Sequence, residues 1–369
     1  MAAGFLSTFD RYAIGPLLVT MAGDLHVRLA AVGMVAGGYA LAYGLTQPLW
    51  GLLSDRYGRV RVMMAALIAA VLAGIASSLA PTLPLLILTR VLTGGFFGAV
   101  IPLALTYIGD TVPMATRQRA LSDQMFAQGI ATALATVCAG TLADLGGWRV
   151  VFALPPLVAV PIVLALRRLP EPPRPEGRTA PWLVLRNRWL LLAMALGFVE
   201  GAILLGGLPF LAPALEHGGV GAALAGMAMA SFGIGLIVFT RVVRRLTVRV
   251  PAWGLMALGG TMMAAAFAVA AGWQSVVPIL LTGFLLGGGY SFLHTSLQAW
   301  ATSAAPGARG SAVAMFATSL FMGASAGTAL GGAAAEAGAY GLLFGAAAII
   351  TVPLTLVAVA GRRRFIPQD

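Results

Sequence analysis

Residues 51–79 read GLLSDRYGRVRVMMAALIAAVLAGIASSL. The first part is charged, with Asp55, Arg56, Arg59 and Arg61 packed into a few positions, and everything from Val62 to Leu79 is uncharged. That uncharged run approaches the ~20 apolar residues a helix needs to cross ~30 Å of hydrocarbon. A surface helix of a water-soluble domain would show a polar face along its length, and none interrupts this one before Ser77. The stretch reads as a charged surface loop feeding a membrane-spanning helix.

The rest of the chain repeats this pattern. Hydrophobic residues make up 59% of the 369 positions, charged ones 9%, and the mean hydropathy is +0.92. Soluble domains carry about 25% charged residues, so this chain has too little polar surface for water and must be solvated by lipid. At roughly 31 residues per helix and loop, its length holds roughly twelve spans. Apolar runs and breakers place them at 4–22, 31–53, 60–79, 83–107, 120–143 and 150–167, then at 189–213, 222–242, 252–272, 276–299, 311–333 and 339–361. The fold class is therefore all-α and polytopic. The N-terminus has no basic segment ahead of its apolar run, and Asp10-Arg11 interrupts that run, so it does not read as a cleaved signal peptide.

Every basic residue is arginine, and the arginines choose sides. If the N-terminus is cytoplasmic, inner loops and the C-terminal tail hold nineteen of them, while outer loops hold only Arg28 and Arg149. This is the asymmetry of the positive-inside rule, and it puts both termini in the cytoplasm. It also accounts for the net charge of +11 without nucleic acid, which would call for one contiguous basic face. Trp50, Trp148, Trp182, Trp189, Trp253, Trp273 and Trp300 all fall at or just beyond proposed span ends, where indole rings favour the headgroup region. A single cysteine, Cys138, excludes an intrachain disulfide and any cysteine metal cluster. His26, His217 and His294 lie on separate segments, so neither a metal site nor a cofactor is expected, and an enzyme is disfavoured. The arginine-rich, lysine-free composition suits GC-rich coding, and the expected location is a cell membrane, bacterial in origin.

The one polar connector runs from Arg167 to Arg188 and contains Leu169-Pro170-Glu171-Pro172-Pro173-Arg174-Pro175. Proline favours an extended, semi-rigid linker. It divides the chain into residues 1–168, a linker 169–188, and residues 189–369, the seam expected of a duplicated chain.

Gly51 to Arg61 has the form G-x-x-x-D-R-x-G-R-x-R, and it resembles the cytoplasmic loop motif of the major facilitator superfamily. Gly51 and Gly58 suit close packing and a tight turn; Asp55 can pair with Arg59, and Arg56 and Arg61 face the inner leaflet. Arg90-Val91-Leu92-Thr93-Gly94-Gly95 is similar to the family's R-x-x-x-G pattern, whose intramembrane arginine is linked to proton transfer. Antiporters of the family carry a G-P-x-x-G-G-like element in helix five; here Ala135 to Gly140 has no proline and one glycine, which leaves the direction of coupling open. Asp144 to Phe152 resembles drug- and sugar-efflux members. The second half echoes the loop motif only through Gly235 and Arg241, Arg244, Arg245 and Arg249.

The resemblance implies two pseudo-symmetric six-helix bundles and secondary transport of a small solute by alternating access. Proton-coupled efflux of a drug-like, amphipathic or sugar-like substrate is the expected activity, by a monomer in the bilayer. Uptake by proton symport is the alternative, and a non-transporting receptor the remoter one. Ionisable groups inside spans are the functional candidates: Asp10, Arg11, Arg90, ~10 Å deep at 1.5 Å per residue, and Glu200. Tyr39, Tyr43 and Gln47, and likewise Tyr290, His294 and Gln298, recur every four residues on one helix face and are expected to line the cavity with Phe97, Gln124 and Gln128. Asp110, Arg117 and Arg119 are expected to form a cytoplasmic charge lock.

The side assignment is testable by labelling intact cells with a membrane-impermeant thiol reagent in a Cys138→Ser background. Gly219→Cys, in an arginine-poor loop, should label; Gly307→Cys should label only after permeabilisation. The reverse pattern would invert the topology.

Overall fold

Hydrocarbon offers no hydrogen bonds, so a segment crossing it must satisfy its backbone internally. The computed structural model describes residues 1–172 and 185–365, with only the backbone of Gln118. Among these residues there are helices and turns and no strand. They form twelve helical passages. In the first half these are α1 (2–24), α2 (29–57), α3 (Arg59–Ser78), α4 (Leu83–Thr111), α5 (Met114–Gly146) and α6 (Trp148–Leu166). In the second half they are α7 (Arg188–His217), α8 (Ala222–Leu246), α9 (Ala252–Gly272), α10 (Val276–Ala304), α11 (Arg309–Glu336) and α12 (Tyr340–Arg364).

Ten of these passages are long and apolar enough to span on their own, and α2 joins them if its two pieces, bent by 43° at Thr46, count as one. The first passage is divided instead. A tight turn at Gly15–Leu17 splits α1, where Pro16 has no N–H for the helical ladder. Helix boundaries move outward relative to the sequence expectation at the arginine-rich end: α2 continues to Tyr57 and α5 starts at Met114. At 33 residues and 1.5 Å per residue, α5 is far longer than the hydrocarbon is thick. The charges expected in loops there ride on helices that leave the membrane.

The two halves repeat one packing plan. In the first, α1 packs on α5, α2 on α4, α3 on α4, and α3 on α6; in the second, α7 packs on α11, α8 on α10, α9 on α10, and α9 on α12. Each pairing recurs six helices later, so these are two pseudo-symmetric six-helix bundles. They meet along two long seams, α5 against α8 and α2 against α11, which a two-fold axis would exchange.

Small residues make the seams possible, because lipid gives helices no hydrophobic reason to associate and close packing must do it. On α8, a Cβ at Gly226 would lie 3.0 Å from Gly140 Cα, and one at Gly233 would lie 2.6 Å from the Ala133 backbone nitrogen. On the other seam the Thr318 hydroxyl donates to the Gly44 carbonyl at 2.9 Å.

The seams are not equal at their two ends. At the arginine-poor end Arg28 pairs with Glu336 across the bundles, and the Ala223 N–H, the start of α8, donates to the Asp144 carboxylate at 3.1 Å. At the arginine-rich end two crevices separate the bundles. One, of about 1120 Å³, lies between Gln47, Asp55 and Arg59 and the Arg309–Ala314 stretch; the other, of about 1220 Å³, lies between Met125 and Thr240, Arg244 and Trp300. The molecule is shut at one end and parted at the other.

Two expectations need amending. Trp148 and Trp300 are fully buried in protein rather than turned outward to the headgroups. Trp148 donates to Asp24 at 3.0 Å, and Trp300 packs against Trp189 and Phe365. Gly51 has nothing within 4 Å of where a Cβ would be, so it serves no close packing. Trp182, and with it linker residues 173–184, lies outside the described residues.

Gly226→Val should wedge the α5–α8 seam and hold the arginine-poor end apart. In a Cys138→Ser background carrying Ala36→Cys, labelling from the arginine-poor side should rise several-fold. Unchanged labelling would mean that this seam does not seal the cavity.

Candidate functional site

The sequence places Asp10 and Arg11 side by side on α1, and helical geometry sends neighbours ~100° apart. Their fates differ accordingly. The Asp10 carboxylate turns into its own bundle and meets Arg90 of α4. Arg90 Nη1 donates to Oδ1 at 3.0 Å and Nη2 to Oδ2 at 2.7 Å. Both side chains are essentially inaccessible. The guanidinium lies between the rings of Tyr39, at 4.7 Å, and Phe152, at 4.4 Å, so its faces meet π-electron density while its edge meets the carboxylate. A two-pronged, planar pairing of this kind is what arginine supplies and lysine does not.

Arg11 turns the other way, towards a central cavity between the bundles. Its guanidinium carbon lies 4.9 Å from the Tyr12 ring centroid, 5.2 Å from that of Tyr43 and 5.3 Å from that of Phe321. Among the described residues no carboxylate pairs with it, and its Nε has no hydrogen-bond partner.

The second bundle holds its own buried polar pair. Glu200 of α7 accepts or donates through Oε2 at 3.2 Å from His294 Nδ1 on α10, and both are buried. Its other oxygen, Oε1, has no protein partner. His294 stacks on Tyr290 at 4.2 Å with a 10° interplanar angle and meets Phe316 at 5.5 Å. Two local irregularities set up this pair. α7 widens into a π-turn over Gly201–Leu205, immediately after Glu200, and α10 does so over Tyr290–His294. Such turns leave backbone groups off the regular ladder and re-aim side chains, and they occur often at functional sites.

An aromatic line runs between the two polar centres. Tyr290 meets Phe232 edge-on at 6.3 Å, Phe232 meets Tyr12 at 5.8 Å, and Tyr12 underlies Arg11.

The remaining sequence candidates divide. Tyr39 and Tyr43 are buried and stack at 6.1 Å; Tyr39 lines the central cavity, with its hydroxyl unpartnered. Gln47 lines the arginine-rich crevice instead. Phe97 is buried inside the first bundle, its carbonyl accepting from Ser7 at 3.4 Å. Gln124 is fully buried against Gly4. Gln128 and Gln298 are half-buried and line none of the crevices described here. Phe321, on which Tyr43 packs at 4.5 Å, is a cavity residue that sequence reasoning missed. Its apolar type gave no signal.

The loop motif forms a compact ionic cluster. Arg59 donates to Asp55 at 2.8 Å, to Asp110 at 2.6 Å and to the Ser54 hydroxyl at 3.1 Å. Gly58 makes the turn with φ +106°, a region L-residues avoid. Arg56 is exposed over Tyr57, and Arg61 is exposed. Asp110 thus pairs with Arg59 and not with Arg117 or Arg119, which corrects the expected lock. Arg117 bonds the Val112 carbonyl at 3.2 Å, and Arg119 is exposed. Glu171, at the start of the linker, accepts from the Val60 and Arg61 N–H groups at 3.0 and 3.2 Å, an acid at a helix N-terminus where the dipole favours it. Among the described residues no group of three His, Cys, Asp or Glu side chains gathers as a metal site.

The model of the Major Facilitator Superfamily matches residues 1–256. An uncharacterized MFS-type transporter of Bacillus subtilis, YfhI, is 24% identical over 241 residues, 64% of this chain and 60% of that one. The 4-hydroxybenzoate transporter PcaK of Pseudomonas aeruginosa is 29% identical over 187 residues, 50% of this chain and 40% of that one. The multidrug export protein EmrB of Escherichia coli is 27% identical over 162 residues, 44% and 32% of the two. The chain thus spans about 60% of the first of these relatives and less than half of the other two. Among solved structures, a mutant of the nucleoside transporter NupG superposes with a TM-score of 0.79 at 16% identity, covering 98% of both chains. A bacterial homolog of the human lysosomal transporter Spinster does so with 0.78 at 18% identity, covering 99% and 97%.

Removing one member of a buried ion pair strands the other. Asp10→Asn should destabilise the protein by roughly 3–5 kcal/mol in a reversible unfolding assay. The double variant Asp10→Asn, Arg90→Gln should recover more than half of that. A single-variant loss below about 1 kcal/mol would remove the structural weight given to the pair.

Proposed function

We propose that this chain, which belongs to the Major Facilitator Superfamily, exchanges a small solute for protons by alternating access, exporting the solute from the cell. The observation that carries this is the central cavity. It lies between two pseudo-symmetric bundles that are sealed at one end and parted at the other. With the arginine-rich end cytoplasmic, as the positive-inside rule favours, this is the inward-facing state of a protein of the plasma membrane.

Glu200 with His294 is the proton site in this reading. One carboxylate oxygen is unpartnered, and the other faces an imidazole, the side-chain type whose charge changes nearest neutral pH. Asp10 is the less available of the two acids. Both of its oxygens are engaged by Arg90, so its protonation would break two charge-assisted bonds. Its role is to hold α1 and α4 in register beneath the cavity.

Coupling runs through packing. Gly201, next to Glu200, lies against the Leu320 backbone of α11, and α11 is the helix that forms the seam with α2. A change of charge at Glu200 therefore bears on the seam that must open and close. The Arg59 cluster at the end of α2 restrains the same motion from the first bundle, since Arg59 lines the parted crevice while tying α2 to α4. One proton moved through 100 mV supplies ~2.3 kcal/mol, which is about a fifty-fold solute gradient at 1.4 kcal/mol per tenfold.

Efflux is preferred over uptake on two counts. The Asp144–Phe152 stretch resembles efflux members, and an export protein stands among the similar chains. In everted vesicles, a transported solute should discharge an imposed pH gradient. Glu200→Gln should abolish that discharge by tenfold or more while leaving solute–solute counterflow near the wild-type rate. Proton movement unaffected in both Glu200→Gln and His294→Asn would remove the coupling assignment.

A further inference from the structure

The acids of this protein suggest a neutral or cationic solute when counted along the chain, but their pairing in space reverses the sign. Asp10 is consumed by Arg90, and Glu200 is engaged with His294 and does not line the central cavity. The charge presented to the cavity is Arg11. Resting on the carrier reading above, we propose that the cavity binds a small amphipathic organic anion, with a carboxylate head on Arg11 and an apolar body against the second bundle.

Two unmade hydrogen bonds belong to residues that line this site. Arg11 Nε and the Tyr39 hydroxyl are both buried, both without a protein partner, and both belong to residues lining the cavity. Orphaned buried polar groups are rare in native structures and call for an explanation. Both can donate, so a group that completes them would be an acceptor, and a carboxylate has two oxygens to offer. An ammonium or a sugar hydroxyl would meet Arg11 as a repulsive or weakly bound neighbour.

The rings around Arg11 fit the same role. Tyr12, Tyr43 and Phe321 lie within about 5 Å of its guanidinium carbon. Aromatic faces stabilise a cation without neutralising it, so the guanidinium edge keeps its charge for a ligand. Arg90, by contrast, has aromatic faces and a carboxylate that neutralises it, so its charge is already matched inside the first bundle. Beyond Arg11 the walls are apolar: Ala36 and Ala40 face Leu205, Leu208 and Met229. A head-and-body ligand would touch α1 and α2 with its head and α7 and α8 with its body, bridging the two bundles that have to move.

The test is equilibrium binding to the purified full-length chain in lipid nanodiscs, which needs no transport. The probes are 4-butylbenzoate, its neutral isostere 4-butylbenzamide and the cationic 4-butylbenzylamine. The carboxylate should bind at least tenfold more tightly than either isostere. Arg11→Gln should remove that preference, Arg11→Lys should retain part of it, and Tyr39→Phe should weaken carboxylate binding alone. If the wild type binds the amide or the amine as tightly as the carboxylate, or binds none of the three, the inference is overturned. This comparison within the wild type holds even if an Arg11 variant fails to fold. Arg11-dependent carboxylate binding without flux in proteoliposomes would overturn the carrier reading and leave the anion site standing. Flux of amines that ignores Arg11 would do the opposite.

Discussion

Every feature of this protein answers to one constraint: hydrocarbon cannot hydrogen-bond and cannot solvate charge. The first consequence is helical, because only a closed backbone ladder survives there. The second is that each ionisable group within the bundles must find a counterpart or a cavity. Asp10 and Arg90 neutralise one another, with both carboxylate oxygens engaged. Glu200 and His294 satisfy one another in part, with an oxygen left over. Arg11 has aromatic rings on its faces and a cavity at its edge. These are three degrees of satisfaction, and in the proposed mechanism they separate a structural pair, a proton site and a ligand site.

The same constraint shapes the contact between the bundles. Without a hydrophobic drive, α5 and α8, and α2 and α11, hold together through backbone-close packing at glycines and a few hydrogen bonds such as Thr318 to Gly44. Contacts of this kind can be exchanged for lipid or water more readily than a dry, interlocked core. The ionic ties sit at the ends of the seams, Arg28 to Glu336 at one and the Arg59 cluster beside the other, where water lowers the penalty of making and breaking them. A molecule of two rigid bundles with a separable seam follows from that division.

Departures from regular helix coincide with the candidate centres. The tight turn at Gly15–Leu17 ends the segment that presents Arg11, and the two π-turns flank Glu200 and contain His294. Neither π-turn is visible in hydropathy, because a widened turn changes the ladder and leaves the composition alone. The four-residue stripe of Tyr290, His294 and Gln298 also divides there: Tyr290 and His294 stack within the widened turn, Gln298 lies beyond it, and none of the three lines the central cavity.

The sequence by itself determined the solvent, the helices, the side on which the arginines gather and the family, because these depend on local composition, period and short motifs. It also singled out Asp10, Arg11, Arg90 and Glu200, since a charge in an apolar run is conspicuous. Only the tertiary structure decided which charge neutralises which: Asp110 with Arg59 rather than Arg117, Asp10 with Arg90 rather than Arg11, Glu200 with His294 ninety-four positions away. Pairing depends on helix rotation and on contacts between distant segments, neither of which composition encodes. The sign of the cavity is what remains after all such pairs are made, so it emerges only when the helices are assembled.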